Sequence, residues 1–375
     1  MPVTAFVNRL TELDRLVGDL DAAQKIFLIS PRRYGKSSLI RLALAAMTRR
    51  GSLAVELTVS SFSSYVAFLE GYARALVTAE TRWDRARNWL RQAIASTRAE
   101  VRYTPGSTLQ TPGSGSLTVS FPGVKNERDL SRLAQDVFAL PAQLAAARKR
   151  KVVVALDEFQ AIAAFDGGAV EHALRAAVQH QRDVGYVFSG SEPSLMERML
   201  GPKRPFYKAG PVMRLEKIPA HEFAAFIDAR LRSLGMKPEA GVGAAIVELA
   251  GNLPYDVQRL AHETWDEVRT RGRKRATLED LHQALKRLLA EQETMFEAVW
   301  QRLTLGQRAV LRGVVIQEGR NLLSADTRER HRLGGSSTVQ TSLNALVRQD
   351  LITREGDRYV VVDSLFREWV ARQTY

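Results

Sequence analysis

Residues 30–38 read Ser30-Pro31-Arg32-Arg33-Tyr34-Gly35-Lys36-Ser37-Ser38, directly after the apolar run Ile26-Phe27-Leu28-Ile29. A buried strand runs here into a loop of the phosphate-gripping pattern G-x-x-x-x-G-K-[ST]. In that pattern backbone N–H groups wrap phosphates, the Lys reaches the terminal phosphates and the hydroxyl ligates Mg²⁺. Gly35, Lys36 and Ser37 are in place, but Ser30 stands where the first glycine is expected. A serine adopts many of glycine's conformations, at a cost of about 1 kcal/mol if φ must be positive. Phosphate binding is therefore expected to survive. Pro31 fixes one φ and helps hold the loop open. The following helix is expected over about Lys36–Thr48, with Leu39, Ile40, Leu42 and Leu44 on its apolar face.

A second element stands far downstream. Lys151-Val152-Val153-Val154-Ala155-Leu156-Asp157-Glu158 is a buried-strand run that ends in two carboxylates. An Asp at such a strand end can hold the Mg²⁺ of a bound nucleotide, and the adjacent Glu can orient or deprotonate an attacking water. The third is Tyr186-Val187-Phe188-Ser189-Gly190-Ser191, a strand ending in small polar groups. In phosphate-loop ATPases of this layout a polar side chain there senses the γ-phosphate. Ser189 or Ser191 can do so, and a plain strand-to-helix turn is the competing reading.

Around these motifs, short apolar runs alternate with amphipathic stretches over the first 218 residues, the mark of an α/β domain with a parallel sheet. Expected strands are Lys25–Ile29, Leu53–Val59, Lys151–Leu156, Gly185–Ser189 and Val212–Ile218. An insertion of about residues 83–150 separates the second from the third. It carries a helical pattern over Trp83–Val101 and a Gly/Ser/Thr/Pro-rich loop, flanked by Val101–Tyr103 and Leu117–Phe121, which can pair as a hairpin. A functional loop and a tolerated insertion are both open. Residues 219–295 read as a helical region, with a capping signal at Thr277-x-x-Asp280. Residues 296–375 read as a winged helix-turn-helix. Its helices are Leu305–Ile316 and Ser337–Gln349, the latter opened by a capping box of Ser337 and Gln340. Strands Leu351–Arg354 and Arg358–Val362 follow.

Composition sets the outer limits. The 375 residues contain no cysteine, which excludes disulfides and thiolate metal sites. No apolar run approaches the roughly 18 residues that span a bilayer, and Met1–Leu10 lacks a signal-peptide layout, so a cytoplasmic protein without a membrane partner is expected. The net charge is +13. Residues 31–50 hold six basic side chains and no acidic one, residues 81–150 hold 12 basic and 5 acidic, and residues 269–275 hold five basic. Such clusters attract nucleic acid through counterion release; the alternative is a solvated Arg-rich surface.

A winged helix commonly lays its recognition helix in the major groove of double-stranded DNA. Val339, Leu343 and Leu346 suit the buried face of Ser337–Gln349, leaving Thr338, Gln340, Thr341, Asn344 and Arg348 outward. Gln and Asn can pair with adenine, and Arg with guanine. Arg354 and Arg358 flank the wing tip, and Arg328, Arg330 and Arg332 precede the helix. From 301 to 375 there are 12 basic against 8 acidic residues, only mildly positive. Docking of a protein partner, or autoinhibition, is the competing role.

The chain resembles the archaeal-type ATPases, a prokaryotic family in the AAA+/STAND branch of phosphate-loop NTPases. The resemblance is carried by Phe6-Val7-Asn8-Arg9, Pro31 to Ser38, Asp157-Glu158-Phe159-Gln160, Phe188-Ser189-Gly190-Ser191, Arg204-Pro205-Phe206-Tyr207 and Gly251-Asn252-Leu253-Pro254-Tyr255 followed by Gln258. The resemblance implies a central parallel sheet, a helical lid over the nucleotide, a C-terminal winged helix, and ATP rather than GTP. Asn8 and Arg9 would lie on the adenine side, and Pro254 near the base or ribose. Arg204 stands where AAA+ relatives place an arginine delivered to the γ-phosphate, often of a neighbouring subunit in a homo-oligomer; Lys203 or Lys208 are substitutes, and a plain surface base is the alternative. The expected function is a Mg²⁺-dependent ATPase switch in which Lys36 stabilises charge, Ser37 and Asp157 hold Mg²⁺ and Glu158 positions water. Its rivals are a DNA-binding regulator that holds ATP without turnover, and a protein-interaction hub.

Overall fold

The computed structural model describes residues 9–79, 89–90, 100–104, 116–165 and 168–373. The chain divides into two compact units, Met1–Glu216 and Lys217–Tyr375.

In the first unit the elements run α1 (Leu10–Asp21), β1 (Lys25–Ile29), α2 (Lys36–Arg49), β2 (Leu53–Thr58), α3 (Tyr65–Ala79), β3 (Glu100–Thr104), β4 (Ser116–Ser120), α4 (Glu127–Arg148), β5 (Val152–Asp157), α5 (Ala169–Val178), β6 (Val184–Gly190), α6 (Pro193–Met199) and β7 (Val212–Arg214). Five strands form one parallel sheet in the order β2-β5-β6-β1-β7. Both faces are covered, as parallel strands require, and the alternation of side chains divides the core. Ile26 and Leu28 of β1 pack with Leu16, Leu20, Leu39, Ile40 and Met47 of α1 and α2. Phe27 and Ile29 face the opposite layer, where Phe68, Tyr72, Val137, Phe138 and Leu174 of α3, α4 and α5 are buried.

The sequence expectation for the fold class holds, with differences in extent. The last strand is three residues long where seven were expected. Residues 127–148, within the stretch read as an insertion, form a core helix. The flanks Val101–Tyr103 and Leu117–Phe121 do pair, as antiparallel β3 and β4. The helical reading of Trp83–Val101 and the loop between the hairpin strands lie largely outside the described residues.

In the second unit, helices α7 (Ala220–Ser233), α8 (Val242–Leu249), α9 (Pro254–Thr270) and α10 (Leu278–Gln301) are joined by a two-residue parallel pair, β8 (Lys237–Pro238) and β9 (Arg275–Ala276). That pair corrects the all-helical reading of this region, since two residues are too few to show a period. The winged helix comprises α11 (Leu305–Ile316), α12 (Ala325–Arg330), α13 (Ser336–Arg348), antiparallel β10 (Ile352–Glu355) and β11 (Arg358–Val361), and α14 (Ser364–Arg372). The last helix was not expected from the sequence. Phe366 and Trp369 of α14 pack on Phe296 of α10, with ring centroids 5.4 and 6.1 Å away. No helix among the described residues is long and apolar enough to cross a membrane.

Candidate nucleotide site and winged helix

The loop leaves β1 at Ser30, whose N–H donates to Gly190 O at 3.2 Å and whose hydroxyl donates to Pro31 O at 2.9 Å. Ser30 is fully buried, and its φ is not positive. The left-handed positions of the loop are Arg33 (φ 69) and Gly35 (φ 88). The glycine this backbone needs is therefore Gly35, and the serine carries no conformational penalty. Gly35 caps α2 without a side-chain hydrogen bond, and the first turn of α2 holds no acidic residue. The N–H groups of that turn and the positive end of the helix dipole are thus suited to an anion.

Around the loop, Pro31 and Ser38 are half-buried, Tyr34 is buried, and Arg32 and Arg33 are exposed. Arg9 is buried and spends its guanidinium on the protein: it donates to Tyr34 O at 3.3 Å, Glu216 O at 2.5 Å and Glu12 Oε1 at 2.9 Å. It braces the loop backbone against the exit of β7. Asn8 lies outside the described residues.

Sheet order brings the acids to this loop. β6 lies between β5 and β1, so the end of β6 sits between Asp157 and the loop. Lys36 Nζ donates to Asp157 Oδ1 and lies 3.6 Å from Glu158 Oε1. Ser37 Oγ donates to Asp157 Oδ2 at 3.1 Å, Ser189 Oγ to Oδ1 at 2.6 Å, and the Glu158 N–H to Oδ1 at 3.0 Å. Burial pushes the Asp157 carboxyl up. The Lys36 ammonium and the donors Lys36, Ser189 and Glu158 N–H outweigh it and hold the group below the usual carboxylate range. Glu158 sits in a left-handed conformation (φ 52, ψ 43), and its Oε2 accepts from Ser191 Oγ and Gln160 Nε2.

This donor set fits a magnesium nucleotide. Ser37 Oγ and the Asp157 carboxylate are adjacent hard oxygens, and Mg²⁺ commonly binds through one or two protein ligands plus substrate phosphates. Among the described residues no group of three or more His, Cys, Asp or Glu forms an all-protein cage.

Arg204 is paired within its own chain. It donates to Glu171 Oε1 at 2.8 Å and Oε2 at 3.1 Å. Glu171 is buried, which pushes its carboxyl up against the pull of Arg204. Lys203 and Lys208 are exposed. Pro254 opens α9 in the second unit, after left-handed Gly251 (φ 60) and Asn252 (φ 58); Asn252 Nδ2 donates to Ile218 O at 2.7 Å.

In the winged helix, α13 buries Val339, Leu343 and Leu346 and exposes Thr338, Thr341, Asn344 and Arg348. Gln340 is half-buried and donates to Asn344 Oδ1 at 3.1 Å, so the two amides hold each other. The expected capping box of Ser337 does not form: Gly335 caps the helix, without a side-chain bond, and Ser337 is already inside it. At the wing, Arg354 donates to Gly356 O at 3.2 Å, and Arg358 lies 3.7 Å from Glu355, which also pairs with Lys217 at 2.9 Å.

Comparison with solved structures decides the fold. A Walker-type ATPase of Pyrococcus abyssi superposes with a TM-score of 0.61 over 97% of this chain and 96% of its own, at 14% identity. The fold is that of this Walker-type ATPase. The ORC2 protein of Aeropyrum pernix, in its ADPNP-ADP complexes, matches with a TM-score of 0.57 and 12% identity, over 97% of this chain and 92% of its own. The ORC1 protein of Aeropyrum pernix, in complex with DNA, matches with a TM-score of 0.52 and 14% identity, over 100% and 95%. Residues 294–372 match a family described as "Probable winged helix domain". No curated protein sequence matches the chain.

Within this ATPase fold the structure brings together Lys36, Ser37, Asp157, Glu158 and Ser191, all expected at the site. It adds Ser189 as a donor to Asp157, where a γ-phosphate sensor was one reading. Two roles were not legible: Gln160 on Glu158, and Arg9 on backbone carbonyls. Arg9 depends on which distant carbonyls the fold places nearby, Gln160 on the left-handed backbone of Glu158 two residues before it, and neither residue leaves a periodic signal.

Proposed function

We propose that this chain is a Mg²⁺-dependent ATP-binding and ATP-hydrolysing switch of the AAA+/STAND type, whose nucleotide state controls its winged-helix module on double-stranded DNA. The observation that carries the reading is the Lys36–Asp157 ion pair at the mouth of the phosphate loop, with Ser37 and Glu158 beside it. Lys36 exchanges Asp157 for the β- and γ-phosphates when ATP enters. Ser37 and Asp157 would hold Mg²⁺, which would supply neutralisation of phosphate charge. Glu158 takes the proton of the attacking water as its oxygen bonds to the γ-phosphorus, and the β–γ bridging oxygen leaves with the bond pair as ADP.

The test is steady-state phosphate release, together with binding of a fluorescent ATP analogue. Lys36→Ala weakens ATP binding by at least about tenfold, through loss of a charge-assisted contact. Glu158→Gln keeps binding and lowers turnover by about 10²-fold. Equal, near-zero rates in wild type and Glu158→Gln would remove the hydrolytic reading.

A second reading, a DNA-binding regulator that holds ATP with negligible turnover, is favoured by one observation. Arg204 spends its guanidinium on Glu171 of its own chain, leaving the γ-phosphate without that arginine unless the pair opens.

A further inference from the structure

One oxygen of Glu158 is shared by two donors. Ser191 Oγ and Gln160 Nε2 each lie 2.6 Å from Oε2, while Oε1 faces Lys36 Nζ at 3.6 Å. Gln160 is buried at 8% exposure, and its amide nitrogen also lies 3.3 Å from Glu192 Oε1. Ionised carboxylates only accept hydrogen bonds, so the two acids fix the amide with its NH₂ toward them. The carbonyl Oε1 of Gln160 is then left buried without a partner. Such an orphaned acceptor is destabilising, and an unbranched apolar side chain of similar length would avoid it.

The end of β6 is shaped around this amide. A Cβ on Gly190 would stand 2.7 Å from Gln160 Oε1 and 2.4 Å from Met196 Cγ, so only glycine leaves room. Glu158 itself holds a left-handed backbone that a non-glycine residue adopts only under constraint.

We infer that Gln160, together with Ser191, is a positioning residue for the reaction: the two donors fix the Glu158 carboxylate by Oε2 and leave Oε1 to receive the proton of the attacking water. This rests on the reading of Glu158 as the water-activating base. Gln160 does not touch the substrate; it acts through Glu158.

The experiment uses the full chain with Gln160→Met and Ser191→Ala, each alone and in the Glu158→Gln background. It reads kcat, KM, affinity for a fluorescent ATP analogue and melting temperature. Gln160→Met lowers kcat by at least about tenfold, the scale of a misplaced reacting group. KM and ATP affinity stay within about twofold, because ground-state binding is unaffected. The melting temperature is unchanged or raised, since the orphaned acceptor is gone. Ser191→Ala, which removes only a hydroxyl, also lowers kcat and keeps the inference testable should Gln160→Met fail to fold. Neither substitution lowers the rate further in Glu158→Gln. An unchanged kcat in both variants, with wild type faster than Glu158→Gln, would overturn the inference alone. So would a loss of kcat matched by equal losses of ATP affinity and melting temperature. A wild-type rate no higher than that of Glu158→Gln would overturn the ATPase reading itself and the role of Gln160 with it.

Discussion

At Asp157 burial and charge pull in opposite directions, and charge wins. Because the folded carboxyl titrates below its unfolded value, its contribution to stability is complete above about pH 4. That contribution is lost as pH falls through the folded value. Asp157→Asn removes it and leaves the buried Lys36 ammonium, among the described residues, with Glu158 3.6 Å away. The expected loss at pH 7 is about 3 kcal/mol, the lower end for breaking a buried pair. Urea titrations should show the gap between variant and wild type narrowing below about pH 4 as acid titrates Asp157. An equal gap at both pH values would show that Asp157 contributes through packing alone. Residue types and order marked Lys36, Ser37 and Asp157 as members of one nucleotide site from the sequence. The donors that set the protonation state of Asp157 were not all legible. Ser189 reaches it because β6 is placed beside β5, a fact of pairing rather than of local pattern.

Elements were legible where the period was long or the cap chemistry local. Thr277 and Asp280 form the capping box that opens α10, as expected, and Thr304 with Gln307 forms one at α11. Ser337 and Gln340 have the same spacing and form none, because Gly335 starts α13 two residues earlier. Thr277→Ala and Thr304→Ala should each cost about 1 kcal/mol. Ser337→Ala should stay within about 0.5 kcal/mol. Denaturant midpoints of the three variants check this; a Ser337→Ala loss as large as the others would mean that its hydroxyl caps after all. What the pattern could not show was β8 with β9 and the closing helix α14. The first is too short to have a period. The second is held by contacts far along the chain, Ser364 Oγ donating to Asp256 Oδ2 at 2.8 Å and Arg367 to Glu248 and Leu249 carbonyls at 3.1 and 3.0 Å.

For the whole molecule, the net charge of +13 raised the question of a nucleic-acid partner, and the structure redistributes that charge. In the run 269–275, Arg269 pairs with Asp266 at 2.7 Å, Arg271 with Glu267, and Arg273 with Asp280. Three of the five basic side chains of this run are thus paired within the chain, whereas Arg348 of α13 and Arg354 of β10 are exposed. If the winged helix acts on DNA, duplex affinity falls with salt, and Arg348→Ala or Arg354→Ala lowers the log–log slope by about one each. Arg273→Ala lowers stability and leaves the slope unchanged. Fluorescence anisotropy across a salt series, with and without ATP, distinguishes these outcomes, and no binding even at low salt would leave a protein partner for the winged helix. By itself the sequence determined the α/β fold class, the phosphate loop, the acidic strand end and the winged helix, because each is written in neighbouring residues and their period. Only the tertiary structure decided that Ser30 needs no glycine, that Arg9 braces the loop, that Arg204 rests on Glu171 and that Gln160 holds Glu158. Those facts depend on φ angles and on which distant groups the strand order brings within hydrogen-bond reach, and neighbouring residues do not encode them.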